Sequence, residues 1–394
     1  MIWKKGIHTI IVSSLLIFLL SNFSCSAYGY PSSISKPILW NVDNLDRLKE
    51  DTIGSIDFVK QICSICDKYA TETPINVTSK RKSFTSDKHY YCSISIYYWP
   101  DSLNPKRYVR RDGYKNPETK DYDLQRLSEF VQRCRYLSVA YYLTNNERYY
   151  NAFMRQIKAW FIDKETYMYP SFRYSQVVPG ADNNTGRASG LIETYEFNDV
   201  LESLRLVHTV KPIDHAVLSE LQSWFLKLIS SIDIDYGKSI GQQKNNIGLA
   251  YDVTRMNMYL FVGDENKAAK LFRQFTKKWL YRHILENGCQ PLELKRASGF
   301  SYSVYNLTHI LDFCFMAQYW NVDYYKLHQE RIDMAFSFLE DYKISNQSLR
   351  QKNTREWERQ LRNFYNQEMR RNRLRNHESK TLSLINTSIG ELLQ

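Results

Sequence analysis

Residues 124–141 read Leu-Gln-Arg-Leu-Ser-Glu-Phe-Val-Gln-Arg-Cys-Arg-Tyr-Leu-Ser-Val-Ala-Tyr. Leu124, Leu127, Phe130, Val131, Cys134, Leu137 and Tyr141 recur at three and four residues, which lays one apolar stripe along a helix. The same period predicts helices over about 147–162, 189–207, 214–232, 245–262, 264–285, 301–320, 324–342 and 354–372, mostly with short links. Strand signals are scarce: Tyr90 to Tyr98 alternates, but stands isolated. No repeat, Gly/Ser linker or low-complexity segment interrupts the pattern. Consecutive helices of this length with short turns predict antiparallel pairs, so the expected fold is all-α in a single domain. Closing such pairs into a ring, an (α/α) toroid or barrel, is one way to gather loops around a central cleft.

Three loop-like stretches carry more polar and aromatic groups than a linker needs. Ser95 to Asp101 (Ser-Ile-Tyr-Tyr-Trp-Pro-Asp), with Pro105 to Gly113, brings Tyr97, Trp99 and four cations, suited to a substrate wall or to a solvated loop with aromatic anchors. Gln176 to Gly180, then Gly186 to Thr194, places small residues at a helix start, where free amides attract anions; Arg187 supports such a site or pairs with Glu193. Gln242-Gln-Lys-Asn-Asn-Ile-Gly sets two amides before a helix, as caps or as donors to a carboxylate.

A fourth stretch, Gln290 to Leu307, delivers Lys295 and Arg296 into a small-residue turn and then starts a helix with Phe300, Val304 and Leu307 on one face. Tyr302 and Tyr305 fall beside that face. A guanidinium grips a carboxylate through two parallel hydrogen bonds, and a phenol moves protons if a nearby cation lowers its pKa. The plain alternative is that Arg296 pairs locally and both tyrosines pack. The last segment, Arg355 to Arg375, reads as a basic amphipathic helix with Trp357, Leu361, Phe364 and Tyr365 as its apolar face; core packing with a solvated basic face is expected over a membrane surface.

At the start of the chain, Lys4 and Lys5 precede an apolar run from Ile10 to Leu20 and the small residues Ser24-Cys25-Ser26-Ala27. This is the order of a secretory signal peptide cleaved after Ala27, leaving a domain over 28–394; a competing reading makes Cys25 a lipid-anchored N-terminus. The run is too short for an integral membrane span. Either way the mature protein is expected in the periplasm or secreted. Losing residues 1–27 removes two lysines and no acid, so the net charge goes from +11 to +9. A basic exported protein predicts an anionic partner. The 30 tyrosines and 8 tryptophans suit sugars, and no nucleic-acid module is recognisable. Cys63 and Cys66 form a lone CxxC in a helical pattern with no partners to complete a zinc site, so buried thiols or one disulfide are expected.

Asn245-Asn246-x-Gly248-x-x-Tyr251-Asp252, followed by Pro291-Leu-Glu293-x-x-Arg296 and Tyr302-Ser-x-Tyr-Asn306-Leu307, resembles the alginate-lyase-like polysaccharide lyases. So do Tyr97-Tyr-Trp-Pro100, Arg111-Asp-Gly113 with Asn116-Pro117, Trp160-Phe161 with Met168 and Pro170, and Gln176 to Gly190, in order from about residue 90 to 310. The resemblance implies a helical toroid with the substrate in its mouth. It implies β-elimination on an anionic uronate polysaccharide such as alginate or glucuronan, without a metal or other cofactor. By position, Asn246 and Arg296 neutralise the substrate carboxylate and Tyr302 transfers protons. Asn245, Gln243, Lys295, Arg187, Gln176, Tyr97, Trp99 and Tyr305 are the expected substrate contacts. The family commonly has His after Asn-Asn, where this chain has Ile247. Three consequences stay open: syn elimination with Tyr302 as both base and acid, replacement by Gln243, Lys244 or His309, or a degenerate lyase that binds without cleaving. A glycoside hydrolase is a third class, with Glu193 and Glu293 as its two acids.

Overall fold

A computed structural model of the chain describes residues 36–51, 53–345 and 354–376. The expected signal peptide and the alternative lipid site at Cys25 lie outside the described residues. The longer helices are α1 (Val42–Glu50), α2 (Ile56–Thr71), α3 (Asp123–Thr144), α4 (Glu147–Phe161), α5 (Phe197–Val210), α6 (His215–Ile240), α7 (Asn246–Val262), α8 (Glu265–Phe275), α9 (Gly299–Ala317), α10 (Gln329–Ser345) and α11 (Thr354–Asn376). They form an α/α toroid.

Local chemistry explains the short turns. Asn145 ends α3 in the left-handed region (φ 54°), and the Asn146 side chain then caps α4 by accepting from the Arg148 N–H. Gly263 (φ 79°) ends α7, and Asp264 caps α8. Each turn folds a helix back on its predecessor: α3 packs on α4, and α7 on α8. Helices α7 and α9 pack on each other and are buried on nearly every face. Aromatic stacking fills the core between α3, α4 and α6: Phe130 on Trp160 at 4.3 Å, Phe161 against Trp224 at 4.7 Å. Burying one such side chain contributes roughly 1.5–3 kcal/mol.

Several segments differ from the periodic reading. The stretch Tyr90–Tyr98 is not isolated: β1 (Cys92–Ile94) pairs in parallel with β4 (Tyr174–Val177), while β2 (Tyr98–Pro100) pairs antiparallel with β3 (Tyr108–Arg110). The β1 partner lies some eighty residues away, beyond any local pattern. The expected helix 189–207 is a 3₁₀ helix over Ala188–Glu196 before α5, and 264–285 breaks at a π turn, Thr276–Leu280. That turn seats Trp279, whose indole donates to Asp252 (2.8 Å).

Helix α11 packs on α9, as expected of core packing, but its buried face is Trp357, Phe364, Gln367, Arg370 and Leu374, with Tyr365 exposed. Arg370 reaches Asp312 on α9, an ion pair that periodicity cannot show. All six cysteines among the described residues are free thiols, four of them buried, so no disulfide forms among them; burial pushes the Cys66 thiol far up.

Candidate functional site

A cleft of about 990 Å³ opens where the first residues of α7 and α9 meet the Ser95–Tyr98 segment, the 3₁₀ helix and the end of α6. Asn246 is set there by two packing constraints. Asn245 caps α7 with its side-chain oxygen on the Ile247 N–H (3.3 Å). Two residues on, Gly248 admits no Cβ, which would lie 2.0 Å from the Gln243 carbonyl and 2.7 Å from the Trp279 ring. Beneath the cleft, Glu293 accepts the Asn246 backbone N–H (3.0 Å) and Nδ2 (2.6 Å). One amide hydrogen is thereby held, and the second has no partner among the described residues.

Arg296 and Tyr302 stand six residues apart around the turn that starts α9. The guanidinium lies over the phenol ring (4.3 Å to its centroid), and Nη2 donates to the Tyr302 hydroxyl at 3.3 Å. Tyr97 comes from the opposite wall, its hydroxyl 2.6 Å from that of Tyr302. Asp112 accepts from Arg296 Nη2 (3.0 Å) and Arg110 Nη2 (3.0 Å), and these pairs hold its carboxyl down at about 2. The phenol of Tyr302 departs from expectation. Burial and the Tyr97 bond raise its pKa, and the lowering effect of Arg296 is smaller, so the unliganded phenol is protonated at neutral pH.

Asn245, Asn246, Gln243, Gln176, Arg187, Tyr97, Tyr302, Tyr305 and Arg296 all line the cleft. Trp99 and Lys295 do not: the Trp99 indole donates to the Tyr114 carbonyl (2.8 Å), and Lys295 is exposed outside the lining. Of the four cations in the 105–113 loop, only Arg110 reaches the cleft. Arg187 does not pair with Glu193. That carboxylate accepts from the Tyr91 (2.8 Å) and Ser93 (2.7 Å) hydroxyls. His309 cannot replace the missing histidine, because it is fully buried between the Tyr195 and Tyr305 rings, and burial lowers its pKa to about 3. Lys244 also stays off the lining, with its carbonyl bonded to His283. Glu293 has its oxygens on Asn246 and is absent from the lining, which removes it as one of two hydrolytic acids.

Glu196, Lys115 and Asp112 were not among the residues expected from sequence. Glu196 stands three residues after Glu193, and in a 3₁₀ helix such residues eclipse, so both carboxyls reach one wall. Burial raises each to about 7. The spacing was visible in the sequence; the burial was not. Among the described residues no group of three or more His, Cys, Asp or Glu side chains is arranged to hold a metal ion.

The sequence profile described as alginate lyase matches residues 76–349. Among solved structures, the chain is similar to an alginate lyase from Bacteroides ovatus, with 29% identity and a TM-score of 0.79, covering 87% of this chain and 93% of that one. It also aligns with alginate lyase A1-III from Sphingomonas species A1, with 15% identity and a TM-score of 0.46, over 83% and 89% of the two chains. No curated protein sequence matches.

Proposed function

Because the chain belongs to the alginate lyase family of polysaccharide lyases, we propose that it is exported and cleaves a uronate polymer by β-elimination, with Tyr302 moving the protons. The observation that carries this reading is the convergence of Tyr302, Arg296 and Tyr97 within hydrogen-bond reach, in the cleft that Asn246 also lines.

The C5 proton of a uronate is weakly acidic because the carboxylate beside it is already negative. Arg296 and the spare amide hydrogen of Asn246 donate to that carboxylate and stabilise the enolate-like dianion formed as the proton leaves. Arg296 then exchanges Asp112 for substrate. Tyr302, as tyrosinate, takes the C5 proton; the C–H electron pair becomes the C4–C5 double bond; the C4–O4 bond breaks, and Tyr302 returns the proton to O4. Arg296 supports the tyrosinate, which burial and the Tyr97 bond disfavour. With Ile247 at the family's histidine position, a base on the opposite face of the sugar is missing, which favours syn elimination.

The test is incubation with alginate, glucuronan and a glycosaminoglycan, followed by the ultraviolet absorbance of the unsaturated uronate product. Absence of product on every polymer, with binding retained, replaces this reading by the second one, a lyase-derived binding protein, for which Ile247 is the specific observation.

A further inference from the structure

Glu196 lines the cleft as an acid without a partner. It closes the 3₁₀ helix Ala188–Glu196 and stands at the N-cap position of α5, yet its carboxyl makes no cap hydrogen bond. The cation that acts on it, Arg135, pairs with Asp199 (3.6 Å) instead. Glu193, one 3₁₀ turn earlier, is only 4% exposed. Tyr91 and Ser93 both donate to its Oε2, and its Oε1 has no hydrogen-bond partner, although the Gln176 amide stands beside the carboxyl. Tyr305 completes the group. Glu196 acts on its phenol, whose hydroxyl makes no hydrogen bond among the described residues. None of the cleft cations, Arg110, Lys115, Arg187 and Arg296, forms an ion pair with either glutamate.

Three unsatisfied oxygen-bearing side chains on one wall call for hydroxyl donors. A second sugar carboxylate is the wrong ligand there. Burial already disfavours negative charge on both glutamates, and another anion adds like charge where water screens little. Sugar hydroxyls donate to carboxylate oxygens in charge-assisted bonds and also accept from a carboxyl that keeps its proton. Ile247, in the same lining, adds no donor for an anion. The location is adjacent to the chemistry. Tyr305 follows Tyr302 by three residues on α9, roughly 4.5 Å along the axis and on the same side.

We propose that Glu196, with Glu193 and Tyr305, forms a subsite for an uncharged sugar, next to the uronate that loses its C5 proton. The substrate class is then a polymer in which uronates alternate with uncharged sugars. This rests on the lyase reading of the cleft.

The experiment compares wild type, Glu196→Ala and Glu196→Gln at pH 8. The polymers are glucuronan, in which every sugar is a uronate, and hyaluronan and heparosan, in which uronates alternate with an N-acetylated sugar. Initial rates are measured, and equilibrium binding is measured in a Tyr302→Phe background. Wild type is expected to show a lower KM on an alternating polymer than on glucuronan. Glu196→Ala should raise KM on that polymer about ten- to a hundredfold, as loss of a charge-assisted contact does. On glucuronan it should lower KM by about threefold or more, because a like charge is gone. Glu196→Gln keeps an acceptor, so it shows a smaller loss on the alternating polymer and the same gain on glucuronan. A damaged fold weakens both polymers and does not give shifts of opposite sign. Wild-type preference for glucuronan overturns the proposal, as do shifts of the same sign or no shift. If no polymer yields unsaturated product, the lyase reading fails by itself. The binding arm then still decides the subsite: opposite shifts in dissociation constant support it, and parallel or absent shifts overturn it.

Discussion

At the scale of single residues, the proposed mechanism separates groups that hold charge from the group that moves protons. Arg296 and Asn246, proposed to hold the substrate carboxylate, are each fixed by an acid of its own, Asp112 and Glu293. Tyr302 has no acid on its hydroxyl, only Tyr97 and Arg296. Tyr302→Phe keeps the ring and its stacking under Arg296 but removes the proton. General acid–base catalysis contributes about 10² to 10⁴ in rate, so kcat should fall by that much while the polymer dissociation constant stays within about threefold. Single-turnover rates alongside equilibrium binding check this. Retained turnover would remove Tyr302 from the chemistry.

At the scale of elements, two contacts decide whether the site is delivered in register. The first is the α7 N-terminus. Gly248→Ala drives a methyl into the Gln243 carbonyl and the Trp279 ring. Overpacking of this kind costs about 1–3 kcal/mol, and the displaced turn carries Asn246. A lowered melting temperature together with a lowered kcat/KM is expected; a variant that melts like wild type with full activity would contradict it. The second is the seam between α9 and α11. Asp312 pairs with Arg370 and accepts from the Tyr195 hydroxyl (2.5 Å), all in the interior. Asp312→Ala leaves a buried guanidinium uncompensated, which costs about 3–5 kcal/mol. Chemical denaturation should show that loss, and Asp312→Asn should recover part of it.

At the scale of the whole molecule, the cleft wall places carboxyls where charge is expensive. Glu193 is fully enclosed, and burial raises its pKa from 4.5 to about 7. The folded state then holds a proton that the unfolded chain releases. Stability from this group is complete below pH 4.5, declines as pH rises toward 7, and stays lower above it. The difference for Glu193 is about 3 kcal/mol. Melting temperatures measured from pH 4.5 to 7.5 should fall more steeply for wild type than for Glu193→Gln; parallel profiles would show that Glu193 does not titrate in this window. Glu196 in the same wall and Glu293 beneath the cleft rise for the same reason.

Much of this molecule was legible before folding. A helical stripe such as Leu124 to Tyr141 depends on residues three and four apart, and Gly248 or Arg296 carries its chemistry in its own side chain or in the lack of one. What the linear chain determined was therefore the helical class, the turns marked by Asn145 and Gly263, and the kit of amide, guanidinium and phenol. Folding alone decided which members of the kit meet. Tyr97 reaches Tyr302 across 205 positions, Asp112 occupies Arg296 from 184 positions away, and Trp99 and Lys295 remain outside the cleft. Folding also reversed the expected direction of the Tyr302 pKa. Burial is a property of the surrounding packing, and pairing between distant segments is set by closure of the ring, so neither leaves a periodic or local trace in the sequence.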